Sequence, residues 1–282
     1  MAVITSYQTT FLDYLSLQFK EEKPAGLYNP MRYILELGGK RIRPVLALIA
    51  ADAVGGDIKK ALPAALAVEV FHNFSLVHDD IMDEAPLRRG KATVHEKWDA
   101  NTGILSGDVM LVKAYQCLDA YPAELFKELT KLFSQTAKEV CEGQQYDMDF
   151  PQQDNVSQAE YLQMIKNKTA VLLGCSLQMG AMIGGLSREE SQPFYDFGIE
   201  LGLAFQLQDD YLDAFGDPLT FGKQVGGDII ENKKTLLYLL ALDKGDKVQQ
   251  AELEELFSSQ PQDPRDKIAA VKTLFKATKA DL

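Results

Sequence analysis

The sequence predicts an all-α fold, a single domain of long and mostly antiparallel helices around a central cavity, and three observations carry that prediction. Leu, Ile, Phe and Met recur at three- and four-residue spacing through most of the chain, the period of a helix with a buried face. Alternating β-branched runs are few, and no Asn-Gly pair separates two of them as in a hairpin. Glycine pairs and prolines fall at the ends of the periodic stretches.

Taken in order, the first helix is predicted over 5–19. The second, 30–37, stops at Gly38-Gly39, and the third, 43–54, stops at Gly55-Gly56. A long apolar helix over 60–83 ends before Pro86, one over 102–121 ends at Pro122, and one over 124–148 ends before Pro151. Further helices are predicted over 158–183, up to Gly184-Gly185, over 189–215, before Pro218, and over 228–242, after Gly226-Gly227. Several exceed twenty residues, long for a globular helix. No Ser/Gly/Pro-rich linker divides the chain, so residues 1–282 read as one domain.

Composition narrows the class. Of 282 residues, 29 are Lys or Arg and 41 Asp or Glu, a net charge of −12, and 46% are hydrophobic. That is an ordinary globular mixture, which excludes disorder, collagen and a small disulfide-stapled scaffold. The acidic balance argues against a nucleic-acid partner, which calls for a basic face. Cys117, Cys141 and Cys175 are odd in number and lack metal-type spacing, as in a reduced compartment, so a cytoplasmic location is expected. No basic segment followed by an apolar run opens the chain, so no signal peptide is expected. The uncharged stretch 169–187 contains Gly180 and Gly184 at GxxxG spacing, yet it is too weakly apolar for a membrane span. A buried core helix is predicted there.

One element occurs twice. Asp79-Asp80-Ile81-Met82-Asp83 and Asp209-Asp210-Tyr211-Leu212-Asp213 are both DDxxD, each at the end of a long apolar helix and each followed by a loop containing Gly and Lys. On a helix, residues four apart share a face, so Asp79 with Asp83 and Asp209 with Asp213 each present two carboxylates together. Like charges at a helix C-terminus are unfavourable unless a cation joins them. Hard carboxylate oxygens suit Mg²⁺, which shares its shell with water and phosphate oxygens. A single copy would read as a solvated acidic face; two copies beside cationic loops point to metal. Those cations are Lys40, Arg41 and Arg43 after Gly38-Gly39, then Arg88, Arg89 and Lys91, then Lys168, Lys223 and Lys233. Each cluster alone would be a surface ion-pair network; beside the acidic motifs they suggest a Mg²⁺-bridged diphosphate. The glycine pair before Lys40 lacks P-loop spacing, and His72, His78 and His95 are too scattered for zinc.

With these motifs the sequence resembles the trans-isoprenyl diphosphate synthases, or polyprenyl synthetases, of the farnesyl/geranylgeranyl type. The resemblance covers Gly38-Gly-Lys-Arg-Ile-Arg-Pro44, Asp79 to Gly90, Gly143-Gln144 with Asp147, Lys168-Thr169, and Gln206 to Asp213 with Gly222-Lys223. It implies the type I isoprenoid synthase fold, a homodimer, and Mg²⁺-dependent condensation of isopentenyl diphosphate with an allylic diphosphate (dimethylallyl, geranyl or farnesyl). It implies three Mg²⁺ ions with bound diphosphate, Asp79, Asp83, Asp209 and Asp213 among the metal-side residues, and Asp80 and Asp210 assisting. Arg88, Lys168, Lys223 and Lys233 would hold the allylic diphosphate, with Thr169 and Gln206 nearby. Lys40, Arg43, His72 and Arg89 would hold isopentenyl diphosphate.

By the same resemblance Phe71, Phe74 and Ser75 would form the floor that sets product length, and a bulky Phe74 resembles short-chain C15 or C20 synthases. The lack of a two-residue insertion in Asp79–Asp83 leans toward C20. Family members usually continue past the equivalent of Leu282, so a C-terminal tail is expected beyond it. A class I terpene cyclase, or a regulatory subunit of a heteromeric synthase, is the alternative. The second intact DDxxD speaks against both, and Lys40 and Arg43 speak further against the cyclase.

Overall fold

The computed structural model describes residues 2–153, 155–217, 225–259, 261 and 263–281. Among them regular structure is helical apart from one two-stranded hairpin, as the all-α prediction requires. The chain forms two compact units, Met1–Ala137 with Val171–Ile199, and Lys138–Ala170 with Glu200–Leu282.

The first unit holds α1 (Ala2–Gln18), α2 (Ala25–Glu36), α3 (Ile42–Ala53), α4 (Ile58–Met82), the hairpin β1 (Leu87–Arg88) and β2 (Lys91–Ala92), α5 (Val94–Lys97) and α6 (Ala100–Gln116). The first part of α7 (Ala123–Asp149), all of α9 (Val171–Ile183) and the start of α10 (Gln192–Phe215) complete it. α4 is its core helix. Asp57 caps its N-terminus by accepting from Lys59 N, and Ala61, Leu62, Ala64–Phe71, Asn73, Phe74 and Val77 are buried. Pro63 interrupts the helical ladder near its start. There the Tyr121 hydroxyl inserts, accepting from Ala64 N at 3.0 Å and donating to Lys60 O at 2.8 Å. α9 is the buried core helix predicted over 169–187: Val171–Met182 are all buried. Its glycines let α3 approach, since a Cβ on Gly180 would stand 2.1 Å from Ala47 O. No helix among the described residues is long and apolar enough to cross a membrane.

The second unit contains the end of α7, α8 (Gln158–Ile165), a π-turn (Lys166–Ala170), most of α10, α11 (Gly227–Ile230), α12 (Leu236–Lys244), α13 (Lys247–Phe257) and α14 (Arg265–Ala277). Phe150, Tyr161, Ile165, Leu239, Leu253 and Phe275 lie in its core. Capping boxes start α8 (Ser157 with Glu160) and α13 (Asp246 with Gln249).

Five differences separate the structure from the predicted elements. α2 begins at Ala25 rather than at residue 30, with Pro30 inside the helix. The hairpin carries no Asn-Gly signal because its turn is Arg89-Gly90; both residues have positive φ (53° and 73°), as a two-residue hairpin turn of the primed type requires. The helix expected over 158–183 is interrupted by the π-turn, which adds one residue to a turn without disturbing the apolar period. The helix expected over 228–242 breaks at Asn232, held at φ 58°, and restarts as α12. α13 and α14 lie beyond the predicted elements.

Candidate functional site

In the first unit, α4 delivers Asp79 and Asp80 on its last turn and is capped by Asp83. Burial splits the motif. Asp79 is partly exposed and Asp83 exposed, while Asp80 is 1% exposed. A buried carboxylate needs a partner, and Arg88 supplies it: Nε lies 2.8 and 2.9 Å from the two Asp80 oxygens, and Nη2 2.7 Å from Oδ1. Burial pushes the Asp80 carboxyl up against the pull of Arg88. Arg88 also comes within 3.5 Å of Asp79 Oδ2. The loop carrying Arg88 is closed by Thr93 Oγ1 donating to Ala85 O (2.8 Å) and Tyr33 OH donating to Ala92 O (2.7 Å).

A cationic cluster lies in the same unit. Arg43 Nη1 is 3.3 Å from His72 Nε2. A guanidinium has no acceptor, so this nitrogen accepts and the ring is neutral. Burial, followed by Arg43, Arg89, Arg88 and Arg41, holds the His72 pKa well below 6.5. Burial also lowers Arg43 to about 10, and its Nε is buried without a hydrogen-bond partner. Arg89 donates to Gly38 O, and its guanidinium lies where a Cβ on Gly39 would be, 2.9 Å from Cζ. Lys40 is exposed on the same Gly-Gly segment. Arg41 is different. It is 4% exposed, ion-paired with buried Glu69 and donating to Leu35 O, and so carries the bend into α3. Arg43 and Arg89 have neutral hydrogen-bond partners instead, which leaves positive charge for an anion.

Below this end of α4, Phe71 and Phe74 are buried, with ring centroids 5.5 Å apart. Phe74 stands 4.8 Å from the His78 ring, and Phe71 packs edge-on against Phe133, which packs against Tyr115. Ser75 Oγ donates to His72 O at 2.8 Å.

In the second unit, α10 presents Asp209, Asp210 and Asp213, and burial divides them in the same way. Asp209 and Asp213 are partly exposed; Asp210 is 6% exposed. Tyr161 OH donates to Asp210 Oδ2 and Gln206 Nε2 to Oδ1 at 2.9 Å, while burial pushes its pKa up to about 6. In both motifs the middle aspartate is thus an anchor tied inward, and the first and last remain at the surface. Asp213 receives Asp228 N on Oδ2 (3.1 Å) and Gly226 N on its carbonyl (2.7 Å).

Asp210 shares a pocket with Asp147, Lys168, Thr169, Gln206 and Lys233. Lys168 Nζ lies 2.6 Å from Asp147 Oδ2, and Thr169 Oγ1 donates to Gln206 Oε1 at 3.1 Å. The π-turn sets this placement: a Cβ on Gly143 would stand 2.2 Å from Lys168 N, and one on Gly202 2.5 Å from Ala170 Cα. Lys233 Nζ is 2.8 Å from Glu231 and 4.0 Å from Asp228. Burial would lower its pKa, but these carboxylates raise it. Burial and then Asp213 push Asp228 up to about 7. Lys223 lies outside the described residues.

The polyprenyl synthetase family model matches residues 24–274. The chain belongs to the polyprenyl synthetase family. This synthetase is 44% identical to a geranylgeranyl pyrophosphate synthase of Geoglobus acetivorans, over 80% of the chain and 71% of that protein. It is 38% identical to a geranylfarnesyl diphosphate synthase of Natronomonas pharaonis, over 95% of the chain and 82% of that protein. Its structure superposes on a crystal structure of a geranylgeranyl pyrophosphate synthase with a TM-score of 0.95 and 55% identity, covering 99% of this chain and 86% of that one.

Nothing in the sequence marks Glu69 or Asp228 as part of the site, and Tyr161 is marked only by its place seven residues, or two turns, before Lys168. The donor sets of the synthetase suit Mg²⁺. Asp79 with Asp83, and Asp209 with Asp213, offer hard oxygens on side chains that are exposed or partly exposed, and among the described residues no three His, Cys, Asp or Glu converge into a cage. That is the arrangement for an ion that completes its shell with water and phosphate oxygens.

Proposed function

We propose that this polyprenyl synthetase joins isopentenyl diphosphate head-to-tail to an allylic diphosphate and releases a trans-prenyl diphosphate of C15 or C20, with Mg²⁺ held by Asp79, Asp83, Asp209 and Asp213. The observation that carries the reading is the shared build of the two acidic motifs: in each, the middle aspartate is anchored and the outer pair is presented. A second DDxxD of this build, together with an isopentenyl-type cation cluster, favours a synthase over a cyclase.

Bound Mg²⁺ supplies charge neutralisation on the leaving diphosphate. The chain's own residues do the rest. Arg43, Arg89 and Lys40 bind the isopentenyl diphosphate through charge-assisted bonds, and neutral His72 holds the Arg43 fork in place. Lys168 and Lys233, with Arg88, bind the allylic diphosphate and stabilise charge as its C–O bond breaks. Asp147 holds Lys168 in place, and Glu231 both holds Lys233 and raises its pKa. The isopentenyl double bond then attacks the allylic carbon, leaving a tertiary cation, and the released diphosphate takes a proton from the carbon beside that cation, so no side-chain nucleophile is required. Apolar side chains keep water from the cation, and Phe71, Phe74 and Ser75 limit how far the product extends.

A dimer fits the surface of the first unit. Leu105 (59% exposed) and Val112 (54%) are displayed on α6, beside Ile104, an apolar stripe of the kind that self-association covers.

The test is a product assay with Mg²⁺, isopentenyl diphosphate and, separately, C5, C10 and C15 allylic primers, read by mass spectrometry. Products ending at C15 or C20 are expected. Longer products keep the chemistry and overturn the floor; no condensation from folded protein overturns the reading.

A further inference from the structure

The segment 226–232, which leads into Lys233, is gripped by α14. α11 begins where Gly226 N and Asp228 N bond to Asp213, and its end is closed by Lys233 N donating to Asp228 O at 2.9 Å. Two consecutive residues of α14 meet the two ends of this segment. Ile268 occupies the space at Gly226, where a Cβ would come within 2.8 Å of Ile268 Cδ1 and where φ is +86°. Lys267 reaches the other end, with Nζ donating to Asn232 Oδ1 and, at 2.8 Å, to Ser259 O.

Lys267 is 3% exposed, and among the described residues its Nζ bonds to two neutral oxygens and no carboxylate. A buried ammonium without a counter-ion is a costly way to fill core space. A leucine there would pack without that cost. What the ammonium adds is a fixed bond to Asn232, a left-handed residue (φ 58°) directly before Lys233.

We propose that Lys267, acting through Asn232, is a positioning residue that sets the affinity of Lys233 for the allylic diphosphate. This rests on the reading of Lys233 as a ligand of that diphosphate. Lys267 touches no substrate; it fixes the backbone from which Lys233 projects. The competing role is purely structural: through Ser259, Lys267 would tie the end of α13 to α14 and nothing more.

Asn232→Gly separates the two. Glycine accepts φ 58° without strain, so the backbone is allowed while the Oδ1 acceptor is removed and the Ser259 bond kept. In the full chain, KM for geranyl diphosphate is expected to rise about tenfold, the loss of one hydrogen bond to a charged group. KM for isopentenyl diphosphate should stay within about twofold, since no bond to that substrate is removed. Lys267→Met should shift KM in the same direction, and Asn232→Asp, which keeps an acceptor, should stay near wild type. Lys233→Ala is the control. If it leaves KM for geranyl diphosphate unchanged, the reading of Lys233 fails and takes the proposal with it. If Lys233→Ala raises KM while Asn232→Gly lowers only the melting temperature, Lys267 is structural and the proposal alone is overturned. Should Lys267→Met fail to fold, Asn232→Gly decides.

Discussion

A methyl group added at Gly143 tests how the second unit places Lys168. In the Gly143→Ala variant the new Cβ would lie 2.2 Å from Lys168 N and 2.7 Å from both Asn167 C and Lys168 Cα. These are backbone atoms of the π-turn and cannot rotate away, so α7 and the turn must separate by about 1 Å to reach ordinary contact. Two energies compete. Alanine is favoured over glycine within a helix by about 1 kcal/mol, whereas forcing a methyl group into a close-packed contact costs about 1–3 kcal/mol. The net is a destabilisation of about 1 kcal/mol, seen as a fall of about 2–4 °C in melting temperature for a chain of this size. The functional effect should be larger. Asp147 lies one turn beyond Gly143 and pairs with Lys168 at 2.6 Å, so separation at Gly143 shifts both partners. A displacement of about 1 Å in a positioning group costs up to about a hundredfold in rate. The assay is kcat/KM for the allylic substrate beside a thermal melt. Gly26→Ala is the control, since a Cβ there meets nothing within 4 Å and should leave activity unchanged. A folded Gly143→Ala protein with kcat/KM within about twofold of wild type would show that this contact does not place Lys168.

Other changes probe the rest of the site. Asp79→Ala or Asp209→Ala should lower turnover at least about a thousandfold with little change in melting temperature, because both side chains are partly exposed; wild-type rates in either would remove the metal assignment. Phe74→Ala opens the aromatic file at Phe71 and His78 and should lengthen the product while costing about 3 kcal/mol of stability; mass spectrometry showing unchanged length would place the floor elsewhere. The folded chain keeps His72 neutral well below the 6.5 of the free ring, chiefly through burial, so below that pH the unfolded chain binds the extra proton. This contribution to stability is complete above pH 6.5 and is lost as pH falls, by up to about 1.4 kcal/mol per pH unit. Melting curves from about pH 7.5 down to about pH 5 should therefore fall more steeply for wild type than for His72→Asn, and equal slopes would contradict the neutral ring.

Short local rules in the sequence specify part of this architecture. Apolar spacing over 60–83 and 169–187 is enough to specify buried helices, because a helix that is apolar nearly all round has no stable place but the core. The DDxxD spacing likewise specifies a paired carboxylate face at Asp79 and Asp83, and at Asp209 and Asp213, since the helical period is intrinsic to the backbone.

Which residues are tied inward and which stay at the surface depends on the packed fold. The spacing sets Asp80 and Asp210 off the faces of the outer aspartates, but only burial gives each its anchoring role through Arg88 or Tyr161. The π-turn under Lys168 is invisible because one added residue leaves the apolar period intact, and it is held by contacts to Gly143 and Gly202 from distant helices. Arg41 and Arg43, two residues apart in one motif, part company only when Glu69 of α4 meets the first and His72 the second. Neither partner lies within the motif itself. Helical period is a property of the local chain; charge compensation is a property of what is brought alongside, and for that the fold has to be complete.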